Sequence, residues 1–180
     1  EPLHLFYLTG MECSSGKLLV DATTATLVVD GRYLEKAREM PYQIIPFSDF
    51  SLAAFMSGKG SQSLGFEANR TSYTRFLELQ EGLQETDCLL KPLVSLVEEL
   101  RMIKEPQEIL YLQKAAALGR KGYQYIVTLL ENGVTEKTLV TELEIFWKKE
   151  GGDKIGFEPI IAFGPNSSKP HHRAGNAVLE

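Results

Sequence analysis

Hydrophobic positions in the first hundred residues come in short, β-rich runs broken by turn residues. Residues 3–8 (LHLFYL) form a continuous apolar and aromatic run closed by Thr9-Gly10, the composition of a buried strand. Residues 17–21 and 25–30 are two further β-rich runs joined by Ala22-Thr23-Thr24, a hairpin by length. Leu34, Ala37 and Arg38 then fall at helical spacing before Pro41 ends the helix. Residues 43–45 read as a strand, and 47–56 as a helix with Ser48 or Asp49 as its cap. Residues 65–67 and 88–90 are minimal strands. Between them Phe76 and Leu79 give a helix over 72–80, capped by Asn69 or Thr71. Pro92 suits the first turn of a helix running to about Leu100.

Beyond residue 104 the period lengthens. Pro106 opens a helix whose Ile109, Leu112, Ala116, Tyr123, Ile126 and Leu130 make one long stripe, stopped by Asn132-Gly133. Thr135 caps a second helix with Glu136 in its first turn. Leu139, Leu143, Phe146 and Trp147 form its inner face, and Gly151-Gly152 ends it. The short link predicts an antiparallel pair. Residues 157–163 read as a strand, with Pro159 suggesting an edge or bulge, and Val178 begins another.

The pattern predicts two domains, residues 1–100 and 101–180, meeting in the charged stretch 98–106. The fold class is α/β: a mixed sheet with flanking helices, followed by an incomplete α+β unit. At 180 residues, roughly 70% of the unfolded surface can be buried, enough for one good core or two small ones. The chain starts in an apolar run and stops where another begins, so a piece of a longer protein is expected.

Nineteen basic and 24 acidic residues give a net charge of −5, which argues against sequence-independent nucleic-acid binding. No apolar stretch approaches the roughly 18 residues of a membrane span, and no leader pattern opens the chain. Two distant cysteines, Cys13 and Cys88, read as reduced core residues, which points to the cytoplasm.

Candidate chemistry is sparse. Residues 57–61 (SGKGS) lack the strand and spacing of a phosphate loop, and Cys13-Ser14 has no histidine nearby in sequence. The glutamates of residues 98–150 read as solvated helix faces. The sharpest local feature is Pro170-His171-His172-Arg173, which offers proton transfer and anion binding on a turn. If that segment is extended, its two imidazoles point to opposite sides.

Six motifs in order then carry a resemblance. They are residues 6–10 (FYLTG), 27–33 (LVVDGRY), 65–67 (GFE), 100–109 (LRMIKEPQEI), 133–136 (GVTE), and 157–167 (FEPIIAFGPNS) with Pro170-His171. Together the chain resembles the creatinase/prolidase/Xaa-Pro aminopeptidase family. The resemblance implies a creatinase-type N-terminal domain followed by the first part of a pita-bread catalytic domain.

It further implies hydrolysis of the peptide bond before proline in small peptides. Two divalent metal ions, manganese in most members, would share a bridging hydroxide that attacks the carbonyl. The family's five metal ligands would follow Glu180, so no metal ligand is assigned within these residues and this piece alone is expected to be inactive. His171 matches the family's catalytic histidine. His172 and Arg173 are candidates for substrate binding. Pairing of two copies through the N-terminal domain is also implied. Two other readings stay open: an inert pita-bread module that binds proteins, and a metal-free creatinase-like amidinohydrolase.

Overall fold

The computed structural model describes residues 1–180, which divide into two compact units, Glu1–Ile103 and Lys104–Glu180.

The first unit opens with a helix, α1 (Pro2–Thr9), where the apolar composition predicts a strand. A six-residue apolar run carries no period that separates the two conformations, so its surroundings decide. His4 and Leu5 turn inward while Leu3 and Phe6 stay exposed, the one-sided burial of a helix. Pro2 suits the first turn, and Gly10 closes the last with φ 70°, its N–H donating to Phe6 O.

The hairpin forms as its sequence predicts. β1 (Gly16–Val20) pairs antiparallel with β2 (Ala25–Val29), and Asp21 Oδ1 closes the turn by accepting from the Thr23 and Thr24 N–H groups. A short helix, α2 (Leu34–Ala37), follows. β3 (Gln43–Pro46) then lies parallel to β2, giving the order β1-β2-β3. The central strand carries the core. Leu27, Val28 and Val29 are wholly buried, and Leu27 and Val29 pack with Leu5, Met11, Cys13 and Ala37.

Helix α3 (Leu52–Lys59) is capped by Ser51 rather than by Ser48 or Asp49. Residues 47–49 form a separate 3-10 turn. A second, parallel sheet pairs β4 (Ser63–Glu67) with β5 (Leu89–Leu93), joined through α4 (Tyr73–Glu81). Ser72, not Asn69 or Thr71, caps α4. Pro92 lies in β5 opposite Phe66 instead of opening a helix. β5 has a free edge, where the missing N–H of proline costs no ladder bond. α5 (Leu96–Met102) follows.

The second unit is built on α6 (Pro106–Thr128) and α7 (Glu136–Lys149). The stripe read on α6 is not its buried side. Ile109, Leu112, Tyr123 and Leu130 are exposed, and the face against α7 is centred on Gly122. Only α7 covers α6 within this unit, so one side of an apolar-rich helix is buried and the rest is left in solvent. Trp147 Nε1 donates to Leu118 O at 3.2 Å, and Tyr125 stacks on Phe146 with ring centres 4.5 Å apart.

Gly122 is where this packing is tightest. A Cβ there would collide with Trp147 Nε1 and come within 2.9 Å of Leu143 Cδ1. Gly122→Ala therefore destabilises the helix pair by about 1–3 kcal/mol, because overpacking outweighs alanine's helix propensity. Denaturant titration followed by Trp147 fluorescence reads the shift.

Residues 157–163 carry no strand ladder, contrary to the sequence pattern. A strand needs a partner, and none pairs with this segment. A 3-10 turn spans Gly164–Ser168. Val178 makes an isolated antiparallel bridge with Thr135 rather than a strand.

Candidate functional site

The site of the second unit is assembled at the N-terminus of α7. Thr135 caps the helix, its Oγ1 accepting from Thr138 N–H at 3.0 Å. The next N–H groups point at the returning chain: Glu136 N–H donates to Ala177 O and Lys137 N–H to Gly175 O. The orphan donors of the first turn are thereby satisfied, and the closing segment is tied to the helix end.

Glu136 is wholly buried there, whereas its position in a helical first turn reads as solvated. Its carboxylate accepts four hydrogen bonds. Oε1 receives Phe163 N–H at 2.8 Å and Asn166 Nδ2 at 3.0 Å. Oε2 receives His172 Nε2 at 2.8 Å and Gly175 N–H at 2.9 Å. These donors hold the carboxyl at a pKa of about 2, His172 contributing most and outweighing burial. A carboxyl lowered in the fold adds stability that is present above its unfolded value. It is lost as pH falls through the folded one. The second unit therefore weakens on acidification from about 4.5 to about 2, and Glu136→Gln flattens that part of the profile. Circular dichroism along an acid titration of both chains reads the difference.

The histidines sit on a tight turn rather than an extended segment. His172 N–H donates to Lys169 O at 3.2 Å, which places Pro170 and His171 at the two corners of a β-turn. His171 is exposed and its imidazole makes no hydrogen bond, while His172 is turned in against Glu136. The imidazoles are thus used differently, one presented and one consumed. Arg173 is exposed.

The donors present do not fit a metal ion. No three His, Cys, Asp or Glu side chains converge to hold one, and both oxygens of Glu136 are already taken by donors.

In the first unit, residues 57–61 close α3 around Gly60 rather than forming an anion cradle, and Lys59 Nζ sits 2.9 Å from Asp21 Oδ2. Cys13 and Cys88 are free thiols with pKa raised, chiefly by burial, so neither is a poised nucleophile. His4, overlooked in the sequence within an apolar run, is buried with Nδ1 on Glu67 Oε1 and Nε2 3.7 Å from Glu98 Oε1. It borders a groove of about 780 Å³ that is also lined by the β1 and β4 strands. No helix is long and apolar enough to cross a membrane.

Sequence reasoning also missed Glu136. No local signal marks it, because an acid in the first turn of α7 already suits the positive end of the helix.

Comparison with known proteins gives these features a setting. Residues 1–103 match the creatinase/prolidase N-terminal domain, and residues 111–180 match metallopeptidase family M24. The chain is 30% identical over 179 residues to the uncharacterized peptidase YqhT of Bacillus subtilis, covering 97% of this chain and 50% of that protein. It is 26% identical over 182 residues to the Xaa-Pro dipeptidase of Pyrococcus furiosus, covering 100% and 51%. Among solved structures, an Xaa-Pro dipeptidase from Bacillus anthracis matches with a TM-score of 0.91 at 29% identity, over 100% of this chain and 51% of that one. The prolidase from Pyrococcus furiosus gives 0.82 at 25% identity, over 100% and 52%. The chain spans about half the length of the curated relatives it matches. It belongs to the creatinase/prolidase family, a creatinase/prolidase N-terminal domain followed by a metallopeptidase family M24 segment.

Proposed function

We propose that the chain is part of a longer metal-dependent Xaa-Pro peptidase that hydrolyses the bond before proline in small peptides. The observation that carries this reading is the His171 turn: an unpartnered, exposed imidazole on a loop fixed at both flanks, within a segment matching family M24. His171 stabilises the tetrahedral oxyanion and protonates the proline nitrogen as the C–N bond breaks. Arg173 meets an anionic peptide end in this reading, which its exposure two residues on supports. His172, the other candidate for substrate contact, has its Nε2 committed to Glu136.

The divalent ions, manganese in this reading, would be held by residues of the longer protein outside these 180. The 180-residue chain alone is accordingly inactive and binds no metal pair. The experiment is to assay the longer protein, encoded by the parent gene, and this chain side by side on an Xaa-Pro dipeptide with added manganese. Hydrolysis by the longer protein only is the expected result. Hydrolysis with stoichiometric metal in the short chain, or none in either, rejects the reading.

Two copies pair through the N-terminal domain in this reading, which is supported by exposed apolar residues at strand ends, Val20 and Leu89. Light scattering of the longer protein at micromolar concentration checks it, and a monomer would count against pairing. The free thiols are in keeping with a cytoplasmic setting.

A further inference from the structure

The buried carboxylate of Glu136 divides its hydrogen bonds by position along the chain. Oε1 holds the upstream flank of the turn through Phe163 N–H and Asn166 Nδ2. Oε2 holds the downstream flank through His172 Nε2 and Gly175 N–H. Residues 167–171, ending at His171, are the span between these two anchor sets. His171 makes no hydrogen bond of its own, so its place is set by its backbone, and its backbone is set by the flanks. We propose that Glu136 is the positioning residue for His171, a two-sided clamp in which each carboxylate oxygen fixes one side of the turn, with His172 as the side-chain key on the downstream side. The proposal rests on the role given to His171 above.

The chemistry makes the clamp specific to a carboxylate. Both oxygens accept only, and all four partners donate. In Glu136→Gln one oxygen becomes an NH2 group, which faces a fixed backbone donor, Phe163 N–H or Gly175 N–H, whichever way the amide turns. One flank is therefore released while the volume of the side chain is kept. On the other side, His172→Ala removes one of the two downstream donors and leaves Gly175 N–H in place. His172→Gln restores an N–H donor at a reach similar to Nε2, so it separates loss of the bond from loss of the ring.

A carboxylate needed only for folding would lower the amount of native protein and leave the properties of each native molecule intact. A clamp acts on every native molecule. Loss of positioning of a proton-transfer group lowers kcat while leaving KM nearly unchanged, by roughly 10- to 100-fold for a supporting residue. The flank amides also become free to exchange, whether or not any substrate is present.

The test has two arms. In this 180-residue chain, amide hydrogen exchange is followed by NMR for wild type, Glu136→Gln, His172→Ala and His172→Gln. The expected result for Glu136→Gln is exchange faster by ~10-fold or more at Phe163 N–H or Gly175 N–H, with Leu139 and Leu143 amides inside α7 unchanged. In the longer protein, kcat and KM are measured on an Xaa-Pro dipeptide, normalised to native protein. The expected order of kcat is wild type, then His172→Gln, then His172→Ala, then Glu136→Gln, at near-constant KM. Unchanged exchange at both flank amides in Glu136→Gln overturns the clamp. So does a kcat that is unchanged after normalisation, or a His172→Gln chain that behaves like His172→Ala. Should Glu136→Gln not fold, the two His172 variants decide by the same readings. Should wild type fail to hydrolyse the dipeptide, the Xaa-Pro reading fails by itself, and the exchange arm still accepts or rejects the clamp.

Discussion

Replacing His171 with alanine in the longer protein lowers kcat by on the order of 10²-fold or more, while KM and bound metal stay near wild type. The reason is differential stabilisation. A neutral ground-state carbonyl gains little from a nearby imidazole, whereas the tetrahedral oxyanion and the departing nitrogen gain much. The turn supports this role, because His171 is exposed and its imidazole is not held by any other group. His172→Ala acts more weakly, through the flank of the turn, since its Nε2 is spent on Glu136. Measuring kcat, KM and metal content for both variants tests the assignment. Near-wild-type kcat in His171→Ala, or metal loss in that variant together with a slower His172→Ala enzyme, rejects it.

Leu27→Ala unfolds the first unit far more readily, at a cost of about 2–5 kcal/mol. Leu27 is wholly buried on the central strand of a three-stranded sheet, paired with Leu18 on one side and Ile44 on the other. Removing its side chain leaves a cavity among Leu5, Met11, Cys13 and Ala37 that a sheet cannot close by shifting one strand. For a unit of about a hundred residues, each kcal/mol moves the melting midpoint by roughly 4–8 °C. Leu89→Ala, at a position 66% exposed at the start of β5, is the control, with a cost under about 0.5 kcal/mol. Scanning calorimetry of both variants of the 180-residue chain reads the contrast. Similar melting for the two would show that the core does not reside at β2.

The hairpin, β3, α4 and the α6–α7 pair were legible because each carries a local cause, whereas α3 starts five residues later than its pattern suggests. The turn chemistry of Asp21-Ala22-Thr23-Thr24 and the cap at Thr135 act within a few residues of themselves. Where the structure departs from the pattern, the deciding partner is distant in sequence. α1 is helical because one side of it meets the sheet core, which a six-residue apolar run does not reveal. Residues 157–163 lack a ladder because no strand lies alongside them. Pro92 joins β5 because that strand has a free edge beyond its pairing with β4.

The histidine turn divides in the same way. Pro170-His171-His172 is visible as a motif, and its resemblance to the family singles out His171. What distinguishes the two imidazoles physically is a carboxylate that lies 36 residues before His172 in the chain. Glu136 reads as an ordinary first-turn acid until the closing segment folds back over the start of α7 and buries it. Local propensity and turn chemistry are short-range, so the sequence by itself determined the elements with a local cause, the family and the candidate turn. Burial and the pairing of polar groups depend on which segments meet, so only the tertiary structure decided which glutamate is enclosed, which histidine is consumed and which is left presented.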